Sequence, residues 1–258
     1  MLPTVFVSHG APNLVLQDAP ARHFLEALGA GLPRPRAVVA VTAHWETPRT
    51  TVGAAARPDT IHDFGRFDDR LFAMRYPAPG DPALADRVSD LLCDSGLPSD
   101  VDRKRGLDHG VWVPLLLMYP NADIPVVPVS VQPSCGPAHH LQVGRALATL
   151  RADSVLVLAS GSFTHDLSRF RGRTVEAATP EDVDEFAGWF DAALAEVRMT
   201  DLLGYRTRAP HAEENHPTEE HLLPLYVALG AAGPGARAER LHNSSTYGVL
   251  RMDAYAFD

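Results

Sequence analysis

The chain has 258 residues, enough to bury a sizeable core without covalent staples, and its 45% hydrophobic and 21% charged content is that of a globular enzyme. A formal net charge of −9 argues against nucleic acid or an anionic membrane as the main partner, because both call for a basic face. Its two cysteines, Cys93 and Cys135, are far apart and form neither a disulfide framework nor a thiolate zinc knuckle; with no leader-like segment and no membrane-length apolar run, a cytoplasmic protein is expected.

In chain order, Thr4-Val5-Phe6-Val7 reads as a buried strand that breaks at Ser8-His9-Gly10-Ala11-Pro12. His9 is thereby left at the strand's carboxyl end, the edge where open α/β sheets bind ligands. Residues 19–30 predict a short helix with Phe24, Leu25 and Leu28 inward, stopped by Gly29 and Gly31. Strand 37–43 follows and ends in His44-Trp45-Glu46, so this unit predicts parallel pairing across a helical crossover. Residues 50–54 predict an edge strand, and the aromatic, Gly/Pro-broken stretch 61–80 predicts a loop over the ligand edge.

Helix 82–95 comes next, followed by Asp108-His109-Gly110 ahead of an apolar helix with Pro114 near its first turn. The prolines of 124–131 predict a strand at a sheet edge or at a bulge. Helix 137–150 carries His139 and His140 in its first turn, where solvation is expected. A third strand, 154–163, leads to His165-Asp166. Helix 180–197 has acids in its first turn, which suits the helix dipole, and 205–215 reads as polar and irregular. Thr218 predicts a cap with His221 on the following first turn, and the alternation of 248–257 predicts a final strand. Strand–helix alternation without linker or repeat predicts one domain over 1–258, α/β with a largely parallel sheet.

His9, His44, His109, His165 and His221 all stand at predicted element ends. One such residue is ordinarily a hydrogen-bonded core histidine; five in matching positions point to a shared metal, and imidazole suits zinc, iron, copper or nickel. A catalytic metal keeps positions open for substrate. Spacing alone does not separate ligands from acid or base, and there is no His-Glu-x-x-His helix. Ser160-Gly161-Ser162 lacks the form of a nucleophile elbow, and no Gly-rich phosphate loop is present.

The stretches Ser8-His9-Gly10-Ala11-Pro12, Thr42-Ala43-His44-Trp45-Glu46, Ile61-His62-Asp63-Phe64-Gly65 and Leu107-Asp108-His109-Gly110-Val111-Trp112 resemble the class III extradiol ring-cleavage dioxygenases. Gly161-Ser162 ahead of His165-Asp166 and Pro217-Thr218-Glu219-Glu220-His221-Leu222 extend the resemblance over nearly the whole chain, within the branch that includes the 4,5-DOPA dioxygenases. The resemblance implies an αβα sandwich around a mixed, largely parallel sheet. It implies metal ligands at His9, His44 and His221, with Glu220 the alternative third ligand and His165 a candidate fourth. It implies an acid/base pair, for which we take His165 as base and His109 as acid. His62, Trp45 and His216 are its candidate substrate contacts, although Trp45 also fits core packing and His62 a loop hydrogen bond.

The function implied is O2 insertion into a catechol, DOPA-like or other, at non-haem Fe(II), by a monomer or small homo-oligomer whose partners are a small aromatic diol and O2. Two other readings keep the same cluster: a Zn(II) hydrolase, since three imidazoles suit zinc, and a non-enzymatic metal-binding interaction protein. Having both His109 and His165 favours an enzyme, because a scaffold needs neither. Arg66, Arg75 and Arg206 are candidate partners for a substrate carboxylate.

Overall fold

The computed structural model describes residues 1–258. Four parallel strands form its centre: β1 (Thr4–Ser8), β2 (Ala37–Glu46), β5 (Val126–Val131) and β6 (Val155–Gly161). They lie in the order β5-β2-β6-β1. The short strands β3 (Thr51–Gly53) and β4 (Asp100–Asp102) extend the sheet beyond β5, and β7 (Ala238–His242) and β10 (Ala254–Phe257) extend it beyond β1. β3 against β5, β1 against β10 and β10 against β7 are antiparallel, so the sheet is mixed with a parallel core, as expected. β8 (Ser245–Thr246) and β9 (Leu250–Arg251) form a separate small ribbon.

Side-chain alternation along the central strands builds the two cores. Val5, Val7, Val38, Ala40, Leu156 and Leu158 face one cluster with α1 (Pro20–Gly31) and α4 (His109–Met118). Phe6, Val39, Val41, Val155 and Val157 face the other side. There α3 (Pro82–Asp94), α5 (Gly136–Leu147), α6 (Glu181–Ala195) and α10 (Leu223–Ala232) pack, giving the αβα sandwich. α4 and α10 are apolar almost all round and buried along nearly their whole lengths, as central covering helices must be. Shorter helices α2 (Asp69–Ala73), α7 (Met199–Leu203), α8 (Tyr205–Arg208) and α9 (Ala212–Asn215) lie in the connections. No helix is long and apolar enough to cross a membrane.

Several local expectations give way. Gly29 and Gly31 lie inside α1, and a Cβ on Gly29 would sit 2.0 Å from the Met118 carbonyl oxygen, so that glycine serves helix packing and not termination. β3 is not an edge strand, because β4, unrecognised in the polar sequence 101–107, pairs outside it. β5 is also interior despite Pro128. In β5 the amide of Val126 turns away from β2, donating to Pro79 O at 2.9 Å. Pro128 has the same phase and faces β3, where pairing is limited to Val52 and Val129, so its missing N–H interrupts little. His140 is buried, not solvated: its Nε2 accepts from the Gln132 amide (3.1 Å) and its Nδ1 donates to Gly136 O (2.7 Å). α10 begins at Leu223, not at Thr218, whose hydroxyl donates to Glu220 Oε1 (3.0 Å) instead of capping a helix. His221 therefore sits in a turn ahead of α10.

Candidate metal centre

The carboxyl ends of β1, β2 and β6 are adjacent, and the five candidate histidines gather there. The His9 amide donates to Gly161 O (3.0 Å), which fixes the chain as it leaves β1. His44 lies where β2 loses register with β5, between Val41 and Glu46, a bulged strand end that re-aims its side chain. The turn bearing His221 rests on the end of β6: Ser162 N–H donates to His221 O (2.9 Å), and a Cβ on Gly161 would lie 2.0 Å from that oxygen. A Cβ on Gly110 would lie 2.9 Å from the His44 ring, so a second glycine makes room for the imidazole.

The Nε2 atoms of His9 and His44 are 3.0 Å apart, and those of His44 and His221 are 3.3 Å apart. Their outer nitrogens fix the tautomers. His221 Nδ1 donates to Glu220 Oε1 (2.8 Å), and His44 Nδ1 lies 3.4 Å from Asp63 Oδ2. His9 Nδ1 lies 3.0 Å from Ser160 Oγ, whose own proton goes to the Gly110 carbonyl, so this oxygen accepts. With all three Nδ1 atoms protonated, three bare Nε2 lone pairs face one another. That arrangement is repulsive until a cation occupies it, and outer-nitrogen hydrogen bonds of this kind orient metal-binding imidazoles. The donor set thus fits a divalent transition metal. Burial, then mutual repulsion, pushes His9 and His221 well below the usual histidine range and His44 down to about 3, so all three are neutral at pH 7 and able to donate electron pairs.

His109 and His165 flank this trio. His109 is the first residue of α4, and its backbone amide donates to Asp63 Oδ1 (2.9 Å). The same oxygen lies 3.0 Å from His109 Nδ1, off the line of a hydrogen bond. Burial works to raise the Asp63 carboxyl, but His109 and His44 hold it down at about 2, so it is ionised. Asp63 thus touches two of the five histidines. The sequence shows it only as part of Ile61-His62-Asp63-Phe64-Gly65, and no spacing rule links it to residues 19 and 46 positions away. His165 stacks on His221 with ring centroids 3.4 Å apart, and its Nδ1 is 4.0 Å from Glu220 Oε1. Burial brings His165 down to about 4.

A cleft of about 300 Å³ opens onto these groups, lined by His9, His44, Asp63, His109, Ser162 and His165, with Phe64, Phe67, Leu167, Phe170 and Leu250 on its apolar walls. The three expected substrate contacts do not line it. Trp45 alternates to the other side of β2 from His44 and lies buried under the Arg105 guanidinium, 4.8 Å from the ring centroid. His62 sits behind Phe64 and donates through Nε2 to Met74 O (3.1 Å). His216 is fully buried and donates through Nε2 to Phe163 O (2.9 Å). Hydrogen bonding and packing account for all three, and the apolar wall that lines the cleft in their place appeared in the sequence only as scattered aromatics.

Residues 3–257 match the family described as the catalytic LigB subunit of aromatic ring-opening dioxygenase. The 4,5-DOPA dioxygenase extradiol of Beta vulgaris is 42% identical over 98% of this chain and 96% of its own length. The protein of that name from Escherichia coli (strain K12) is 40% identical over 89% of this chain and 85% of its own. A crystal structure of an uncharacterized protein from Escherichia coli K12 matches with a TM-score of 0.83 at 33% identity, covering 100% of both chains. Full-length similarity and a histidine cluster at the sheet's carboxyl edge agree: the chain belongs to the LigB family of aromatic ring-opening dioxygenases, and its chemistry is metal-dependent extradiol ring cleavage.

Proposed function

We propose that the chain opens a catechol ring with O2 at a ferrous ion held by the Nε2 atoms of His9, His44 and His221, with His165 as base and His109 as acid. The observation that carries the ligand assignment is the convergence of three Nε2 lone pairs whose Nδ1 partners are Ser160, Asp63 and Glu220. Glu220, the alternative third ligand, uses Oε1 to accept from both His221 and Thr218, so we assign it to orienting His221. Ferrous iron supplies, when bound, the one-electron chemistry that O2 requires and zinc lacks.

The protein's own groups then manage protons. His165 is neutral at pH 7 and lines the cleft, so it can take a proton from a catechol hydroxyl. His109 lines the cleft beside Asp63, its Nδ1 3.0 Å from Oδ1, and is placed to give a proton as negative charge develops on oxygen. Phe64, Phe67 and Phe170 wall the cleft and limit the access of bulk water to it. Both oxygen atoms enter the ring-opened product, so the overall reaction needs no separate reductant.

The test is anaerobic reconstitution with ferrous iron, followed by oxygen uptake over a panel of catechols. One O2 consumed per catechol, with a ring-opened product, is expected from the iron protein and not from the zinc protein. No uptake with any catechol would overturn the proposal.

A further inference from the structure

Two chemically distinct sets of residues line the cleft. Imidazoles, Asp63 and Ser162 form one; Pro12, Phe64, Phe67, Leu167, Phe170 and Leu250 form most of the other, and no lysine or arginine lines it. The sequence candidates for a carboxylate partner are engaged elsewhere or outside the lining. Arg75 donates to the carbonyls of Phe72 and Met74 (2.7 Å each), Arg206 donates to those of His216 and Pro217, and Arg66 is exposed and not part of the cleft. Of the arginines next to the apolar wall in sequence, Arg169 is held by Asp182, and Arg251 by Asp253 and Asp184, while Arg66, Arg171 and Arg173 form no ion pair; none of the five lines the cleft.

The rim is apolar as well. Leu167 is 53% exposed at the cleft, and Phe72, 39% exposed, packs on Phe64 with ring centroids 5.2 Å apart. Large apolar side chains left uncovered beside a cleft are surface that an apolar ligand group removes from water.

We infer that the site takes a catechol whose ring substituent is uncharged and apolar, an alkyl or aryl group lying against Phe64, Phe67, Leu167 and Phe170, and that it disfavours a carboxylate on that substituent. The inference rests on the catechol dioxygenase reading above. A carboxylate against this wall gives up water and meets no cation among the lining residues, and the one acidic side chain lining the cleft, Asp63, repels it. The relatives named for DOPA act, by that name, on an amino-acid catechol, so the inference separates this chain from them in substrate class.

The matched pair 4-propylcatechol and 3-(3,4-dihydroxyphenyl)propanoate differs only in a terminal methyl against a carboxylate. Calorimetric titration of the iron-loaded protein without oxygen reads binding, and oxygen uptake reads turnover. The propyl compound is expected to bind at least about tenfold more tightly, the worth of one to two buried methylenes, with the difference appearing in KM. Leu167→Arg, at an exposed position, should narrow the ratio by up to about fivefold through the propanoate, and Arg66→Gln should change neither ligand. Equal or tighter binding of the propanoate, or its selective weakening in Arg66→Gln, overturns the inference. Binding with the expected preference but no oxygen uptake overturns the dioxygenase reading and leaves the preference standing; no binding of either compound overturns both.

Discussion

At the scale of single residues, position around the Nε2 cluster sets what each histidine contributes. His9 supplies one of the facing lone pairs, so His9→Ala should abolish stoichiometric metal binding. His109 lies beside the cluster, its ring centroid 3.9 Å from that of His44 and its Nδ1 against Asp63, so His109→Ala should bind metal and lose turnover. His165→Phe keeps an aromatic ring to stack on His221 and removes the base; metal content should stay intact while activity disappears. Loss of metal from His165→Phe would show that His165 is a ligand. Asp63 acts through others, bridging His44 and His109. Asp63→Asn should weaken metal affinity by about 10–100-fold and also lower kcat at saturating metal, because it frees a ligand and the acid together. Metal titration and steady-state kinetics on the same preparation separate the two effects, and an unchanged kcat at saturating metal would confine Asp63 to holding His44.

At the scale of elements, the site depends on where strands stop and on what approaches their ends. The ends of β1 and β6 were legible to within two residues, since β-branched runs broken by Ser-His-Gly or Gly-Ser announce themselves, whereas β2 runs on through His44-Trp45-Glu46 instead of stopping at residue 43. The largely parallel α/β sheet followed from strand–helix alternation, and the αβα layering from the family resemblance. The environment of His221 was not legible. Pro217, Thr218 and Glu219 have the composition of a helix start, but the turn spends its hydroxyl and carboxylate on each other and on the imidazole, and the helix waits until Leu223. The aromatic, Gly/Pro-broken composition of 61–80 did announce a loop over the sheet edge, but not that Asp63, Phe64 and Phe67 are the side chains that reach the cleft, and Leu167, Phe170 and Leu250 join them from other segments with no periodic signal. Gly161 is where these elements meet. Gly161→Ala places a methyl carbon against the His221 carbonyl, and the turn must lift. Expected are a loss of about 1–3 kcal/mol in denaturant unfolding and weakened metal binding, with the far-ultraviolet spectrum of the sheet and helices unchanged. Normal metal affinity in Gly161→Ala would mean that the turn adjusts without moving His221.

At the scale of the whole molecule, burying neutral histidines ties stability to pH. His140 shows the effect apart from the metal cluster, since its aromatic neighbour is His139 and its hydrogen bonds go to Gln132 and Gly136. Burial lowers it from the ordinary value near 6.5 to about 4 in the folded state. Above pH 6.5 it is neutral in both folded and unfolded chains and costs nothing. As pH falls from 6.5 to 4, the unfolded chain binds a proton that the folded chain refuses, so stability declines. Below 4 both forms are protonated and the cost levels off at about 3 kcal/mol. His140→Gln cannot titrate. Whatever it loses in packing at pH 7.5, its stability should decline less steeply with acid, so that the gap to the unsubstituted protein shifts in its favour by about 2 kcal/mol at pH 5. Urea unfolding of both proteins at the two pH values measures that difference, and terms from the metal site cancel because neither protein alters it. Parallel pH profiles would mean that folded His140 titrates near its ordinary value, and hence that water reaches the ring beneath the first turn of α5.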